Sequence, residues 1–456
     1  MNKRLRQLQT VVTTIGVMIL SACSAVADMD MADREMAAGH PQKAVKHWQT
    51  LARFGLPEAQ LKLGDYYVDH SDWAMAEKWY LEAEKQHEPR AYGRLGRLYQ
   101  QQADGRQAVI NAADHYLQRA AAAGDESIAD NLLNLYLEYP QLPRYPGLEQ
   151  LIQKRLARGD MGSQYILVRY YQLNGQEQDK KTEIVRLCSE ALDQVYDCYP
   201  LLADFYQRYP ELGSNQQLID HMQQRWQQQR VDAYNVWKFA KWFIGSDRTK
   251  PQPMAAMALL RLVDQDYPPA MSLEADMIRR NPALGSKQQL LTLLQRGREQ
   301  GSADAEYLTG LIYFEGKVVA LDPYQAEQHL LLAADQVAMA HFYLGRIYRL
   351  GYLGRDNPQA AVQHYLMAGR KGIGKAYFEL ARYYWQGVGI VPNQHYAYGF
   401  AQLALEDGYQ SAQGLITEIT KQASGEVISK GQVVAQQERD AMQNSVLLQL
   451  SSREQE

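Results

Sequence analysis

The chain has 456 residues, of which 22% are charged and 46% hydrophobic, and a formal net charge of −4 at pH 7. That much apolar material supplies a large folded body and excludes an intrinsically disordered chain. A mildly acidic chain with no long basic patch carrying interleaved aromatics also lacks the electrostatic footprint of a nucleic-acid binder.

In chain order, Lys3, Arg4 and Arg6 precede a short, mostly apolar run from Val11 to Ala22. The run is too short to span a bilayer comfortably and reads as a signal segment. It ends in Leu20-Ser21-Ala22-Cys23, which resembles the lipobox of bacterial lipoproteins, where small residues precede a cysteine. The resemblance implies cleavage before Cys23 and acyl chains, palmitate among them, on its thiol and amine. Ser24, standing where an Asp would imply retention in the inner membrane, implies the outer membrane. Three acyl chains exceed the two signals that stable anchoring needs. An ordinary secretory signal with a coincidental cysteine is the alternative. Loss of Lys3, Arg4 and Arg6 takes the formal charge from −4 to −7.

From residue 59 onward a pattern recurs: a small residue, leucine four places on, glycine or alanine next, and tyrosine at +8. The anchors are Ala59, Ala91, Ile128, Ser163, Cys198, Asn235, Ala270, Ala305, Ala340, Ala376 and Ala412, 32 to 37 residues apart. The +8 slot holds Tyr67, Tyr99, Tyr136, Tyr171, Tyr206, Tyr313, Tyr348 and Tyr384, eight tyrosines in eleven repeats from a chain with 31 in all. Positions 0, +4 and +8 share one face of a helix. The +4 slot is mostly leucine, with a slip to +3 at Leu273 and Leu308. The small +5 residues, such as Gly64, Gly96, Gly310 and Gly345, let a second helix approach closely.

That second helix carries Ala76–Tyr80–Ala83, Ala326–Leu330–Ala333, Ala360–Tyr365–Ala368 and Ala397–Ala401–Ala404. Gly55, Gly124, Gly372 and Gly408 follow such helices and suit left-handed C-terminal stops. Asp322-Pro323, Asn357-Pro358 and Pro392-Asn393 read as turns. No stretch alternates as a strand does. A fixed period near 35 residues therefore predicts an all-α fold, a right-handed superhelical solenoid of about eleven helix-pair repeats. The expected organisation is a signal peptide at 1–22, a lipidated tether at 23–31, the solenoid at 32–422, and a capping helix with a disordered tail at 423–456.

Gly316, the pair Gly351/Gly354 and the pair Gly387/Gly389 lengthen the inter-helix loops from Ala305 to Gly408. There the chain resembles the Sel-like repeat subfamily, whereas residues 128–300 are nearer to plain tetratricopeptide repeats. Cys188 falls on a second helix and Cys198 opens the next first helix. A disulfide between them suits an oxidising compartment, and a plain space-filling role for Cys198 stays open beside it.

Residues for chemistry are missing. The ten histidines form no His-x-x-x-His pair, and there is no Cys-x-x-Cys, so neither a metal nor another cofactor is expected. No Gly-x-Ser-x-Gly occurs. Gly369 to Ala376 fits a phosphate loop until Ala376 replaces the required Ser or Thr. Acidic pairs such as Glu82/Glu84 read as solvated helix faces. The +8 tyrosines read as core residues with hydroxyls at the rim. Tyr352, Tyr396 and Tyr398 lie outside that slot and are candidates for a partner surface. Gln432 to Leu450 reads as a polar helix with a partial apolar stripe.

With these repeats behind a lipobox, the chain resembles the family of outer-membrane lipoproteins of the alginate biosynthesis and secretion apparatus. The resemblance rests on Tyr343-Leu-Gly-Arg-Ile-Tyr-Arg-Leu-Gly-Tyr-Leu-Gly354, Gln386-Gly-Val-Gly-Ile-Val-Pro-Asn393, Tyr136-Leu-Glu-Tyr-Pro-Gln141 and the ten-residue spacing of Cys188 and Cys198. It implies a non-enzymatic scaffold on the periplasmic face of the outer membrane. The implied partners are a β-barrel polysaccharide exporter and periplasmic alginate-modification and secretion proteins. Other readings are a scaffold for another exopolysaccharide such as cellulose, a direct polysaccharide-binding module, or a cell-wall enzyme or inhibitor.

Overall fold

The computed structural model describes residues 28–245, 250–387 and 389–453. The signal peptide and Cys23 lie outside them. The described residues contain 24 α-helices, two short 3₁₀ turns and no strand. They form two compact units, one ending at Leu212 and the other starting at Gly213. Within each unit, successive helices pair and stack as repeats.

The anchors explain the stacking. Each lies in the first turn of a repeat's first helix or, for Ile128, in the 3₁₀ turn before it. Ten of the eleven are buried, and Asn235 is half-buried. Leu63, Leu95, Leu132, Leu167, Leu202, Phe239, Leu344 and Leu380 fill the +4 slot and are at most 3% exposed. At the last repeat Ile416 is half-buried and Leu415 takes the core position. The +5 residue then sets the distance to the second helix. A Cβ on Gly64 would stand 2.1 Å from the Tyr80 ring, and one on Gly345 would stand 2.7 Å from Tyr365. Gly costs about 1 kcal/mol against Ala in a helix, and the aromatic packed into the vacated space offsets that cost.

The turns match their sequence. Asp322 accepts hydrogen bonds from the Tyr324 and Gln325 amides, Asn357 from Ala360 and Asn393 from Tyr396, so all three are helix N-caps. Gly372 (φ 84°) and Gly408 (φ 80°) adopt the left-handed conformation after their helices. On the second helix of the Ala340 repeat the core residue is Ala361; Ala360 is half-buried one place earlier. Upstream, the helices Met29–Ala37 and Pro41–Arg53 form an additional pair, so helix begins inside the segment read as a tether. Ala32, Ala44 and Trp48 of this pair share a core with Ala59 and Leu63. At the other end the helix Gly425–Arg453 starts earlier than Gln432 and ends beyond Leu450, the bounds that the sequence predicts. Gly399 and Gly431 mark its crossing of Gln394–Glu406: a Cβ on Gly399 would meet the Gly431 carbonyl at 2.6 Å.

Two repeats differ from expectation. Leu273 is only half-buried and does not replace the +4 residue, whereas Leu308 is buried alongside the +4 residue of its repeat. Glu274 and Thr309 occupy +4 and are 2% and 4% exposed. Thr309 satisfies its hydroxyl by donating to the Ala305 carbonyl at 2.7 Å. Glu274 accepts from the Arg261 guanidinium at 3.2 Å through one oxygen, while its other oxygen has no hydrogen-bond partner. Burial pushes the Glu274 carboxyl up to about 7; neighbouring Asp264 adds to the rise and Arg261 opposes it.

A carboxyl raised in the folded state contributes its stability below its unfolded value, near 4.5, and loses it as pH rises through about 7. Glu274→Leu restores the repeat pattern and leaves Arg261 its bond to the Leu284 carbonyl. The variant should gain about 1–3 kcal/mol at pH 8 and lose the stability decline between pH 4.5 and 7. Urea unfolding of both proteins across that range checks this; parallel curves at all pH values would contradict it.

Candidate interaction surfaces

Four of the +8 tyrosines anchor their hydroxyls on carboxylates. Tyr136 donates to Asp114 at 3.0 Å, Tyr171 to Glu183 at 3.4 Å, and Tyr99 and Tyr348 to Glu77 and Glu327. Each acceptor lies on an adjacent second helix. Burial raises the hydroxyls of all four above the ordinary phenol range. They are therefore neutral donors that register one helix against the next.

The edge formed by the long inter-helix loops is different. In the repeats from 303 to 409, first helices end at Gly316 and Gly387, both left-handed. Tyr352 sits in the intervening repeat's loop, 41% exposed, its ring 5.9 Å from Phe314. Tyr396 opens the next second helix, 38% exposed, and stacks on Tyr384 at 5.0 Å. Tyr398 does not belong to this surface. It is 7% exposed because Gly431 of the C-terminal helix lies against its ring. Three residues that no periodicity singled out do belong: Leu321 is 54% exposed, Tyr324 59% and Val391 84%. The Tyr324 hydroxyl donates to the Leu353 carbonyl at 3.3 Å, tying one repeat's second helix to the next repeat's loop. Exposed apolar residues along three consecutive loops form an edge suited to a protein partner.

Cys188 and Cys198 are both fully buried, with their sulfurs 2.7 Å apart. Residues 369–376, the near match to a phosphate loop, are a helix end, a turn and the start of Gly374–Gln386. Among the described residues no group of three or more His, Cys, Asp or Glu could hold a metal ion. No described helix is long and apolar enough to cross a membrane.

Comparison with known proteins agrees with this architecture. Residues 180–264 match the AlgK tetratricopeptide repeat domain. Residues 89–125, 303–336, 338–373 and 374–409 match the Sel1 repeat. The first of these lies well before the glycine-rich stretch that carries the pattern most plainly. The chain is 32% identical over 459 residues to the alginate biosynthesis protein AlgK of Pseudomonas syringae pv. tomato, covering 98% of this chain and 97% of the relative. It is 30% identical to AlgK of Azotobacter vinelandii, covering 92% and 94%. Among solved structures, an Escherichia coli protective antigen with an SLR fold (c5321) is 17% identical at a TM-score of 0.38, covering 90% of this chain and 97% of that one.

Proposed function

The chain belongs to the AlgK family of alginate biosynthesis proteins, and from that premise we propose that it is a periplasmic scaffold for alginate secretion. In this reading Cys23 carries the lipid that holds it to the outer membrane. Its repeats bind the β-barrel exporter and periplasmic alginate-modification and secretion proteins. The observation that carries the reading is similarity to alginate biosynthesis proteins along almost the whole chain, on a fold built to present surfaces. The Leu321, Tyr352 and Val391 edge is the partner surface, and the repeats need no catalytic group for this task.

In cells, Cys23→Ser should release the protein from the outer membrane and abolish polymer export. Leu321→Asp, Tyr352→Asp and Val391→Asp together should leave the protein folded and anchored yet reduce export. Membrane fractionation and secreted uronate measure both. Normal export from the triple variant would remove the loop edge from the account. Normal export and unchanged membrane location of Cys23→Ser would remove the anchor.

The adjacent thiols add a second proposal. In an oxidising compartment Cys188 and Cys198 form a disulfide. Closing so short a loop is worth about 2–3 kcal/mol, so reduction should lower unfolding stability by that amount. Thiol alkylation of the denatured, unreduced protein is the check. Two reactive thiols in periplasmically expressed protein would contradict the bridge.

A further inference from the structure

The helices Met29–Ala37 and Pro41–Arg53 are joined only by residues 38–40. A link that short makes an antiparallel helix hairpin. The start of the first helix therefore lies at the same end as the close of the second, and Met29 packs on a core that includes Ala52. Cys23 stands five positions before Asp28, so even an extended chain keeps this end within about 18 Å of the cysteine. Here the chain turns through Arg53-Phe54-Gly55-Leu56 and enters the helix Pro57–Asp69.

The turn is a helix stop that recurs along the chain. Gly55 is left-handed at φ 85°; its amide donates to the Ala52 carbonyl, and the Leu56 amide donates to that of Leu51. Left-handed glycines close five later second helices in the same way, at Gly124, Gly159, Gly301, Gly372 and Gly408. The residue before the glycine is then Ala123, Arg158, Gln300, Lys371 or Asp407, exposed in each case. The slot faces water in all of these turns, and only in the first does it hold a large apolar side chain. Phe54 is 86% exposed. Leu56, two places on, and Met31, in the first turn of the helix that starts at this end, are exposed as well. Neither the turn motif nor the core calls for this apolar group. The charges beside it do not select an anionic partner: Arg53 faces water without a carboxylate at ion-pair distance among the described residues, but Asp28 and Asp30 face water too.

We propose that the Phe54 turn is a membrane-contact site, with Phe54 and Leu56 seated in the interfacial layer of the phospholipid leaflet that holds the Cys23 lipid. Exposed apolar side chains grouped at one place mark a surface for a partner or a membrane. Phenylalanine and leucine suit the boundary between headgroups and acyl chains. The apolar surface that the short connection to Cys23 keeps within reach is the lipid itself. This inference rests on the reading of Cys23 as the lipid attachment point. It adds a contact made by side chains to the one made by acyl chains, and it fixes which end of the first helix pair meets the membrane.

The test uses the full lipidated chain in vesicles of phosphatidylethanolamine and phosphatidylglycerol, with the photoreactive residue p-benzoylphenylalanine in place of Phe54. Illumination should join phospholipid to position 54, read by peptide mass, at a yield about tenfold or more above that of the same probe at Ala123, the matching slot of a later turn. Because the contact is apolar, the yield should persist at high salt and in phosphatidylcholine vesicles. With the probe moved to Leu56, Phe54→Asp should lower the phospholipid adduct about tenfold. Helical circular dichroism and the acyl mass on Cys23 should be unchanged in that variant. Equal yields at positions 54 and 123, or a Leu56 adduct indifferent to Phe54→Asp, on a chain acylated at Cys23, would overturn the inference and leave the anchor standing. A mature chain with an unmodified Cys23 would remove the anchor and the inference together. Capture of a second copy of the chain in place of phospholipid would make the turn a protein interface and overturn the inference as well.

Discussion

The close approach of two helices, made possible where one of them carries almost no side chain, is the constraint on which this molecule depends. Gly64 against Tyr80, Gly96 against Leu117, Gly310 against Leu330 and Gly345 against Tyr365 are the same contact repeated. Each brings a large second-helix residue onto the backbone of the first. Once that distance is fixed, the anchor and the +4 residue fill the seam, and in four repeats the +8 tyrosine reaches a carboxylate on an adjacent helix. Within each unit the pairs then stack as repeats, and function has room in the inter-helix loops, which take no part in the seam.

The seam was legible in the sequence because packing enforces it at every turn of the array. Anchors, +4 leucines, N-caps and left-handed glycines all follow from local chemistry with a fixed period. The misreadings occur where a contact depends on residues far away in the chain. A leucine at +3 suggests a slipped register at Leu273, which the structure leaves half-buried. The buried alternative, Glu274, is tolerated only because Arg261, on another helix, faces it. Tyr398 looked free until the C-terminal helix, more than thirty residues later, was seen to cover it. Ala361 in place of Ala360 is a one-residue error in helix phase, the size of error that alanine-rich helices invite.

The candidate surfaces were legible only in part for the same reason. Tyr352 and Tyr396 stood out by falling outside the repeat pattern. Leu321 and Val391 did not, since an exposed aliphatic residue in a loop has no sequence signature. The loop edge, which takes no part in the seam, suits a folded partner.

The most direct measurement of the scaffold role is site-specific photo-crosslinking in living cells from position 352, followed by mass spectrometry of what is captured. The account predicts a covalent adduct with the outer-membrane polysaccharide exporter or a periplasmic alginate-modification protein. That adduct should disappear when the crosslinker is moved to the buried position 398. Capture of only peptidoglycan-associated or unrelated envelope proteins would contradict it.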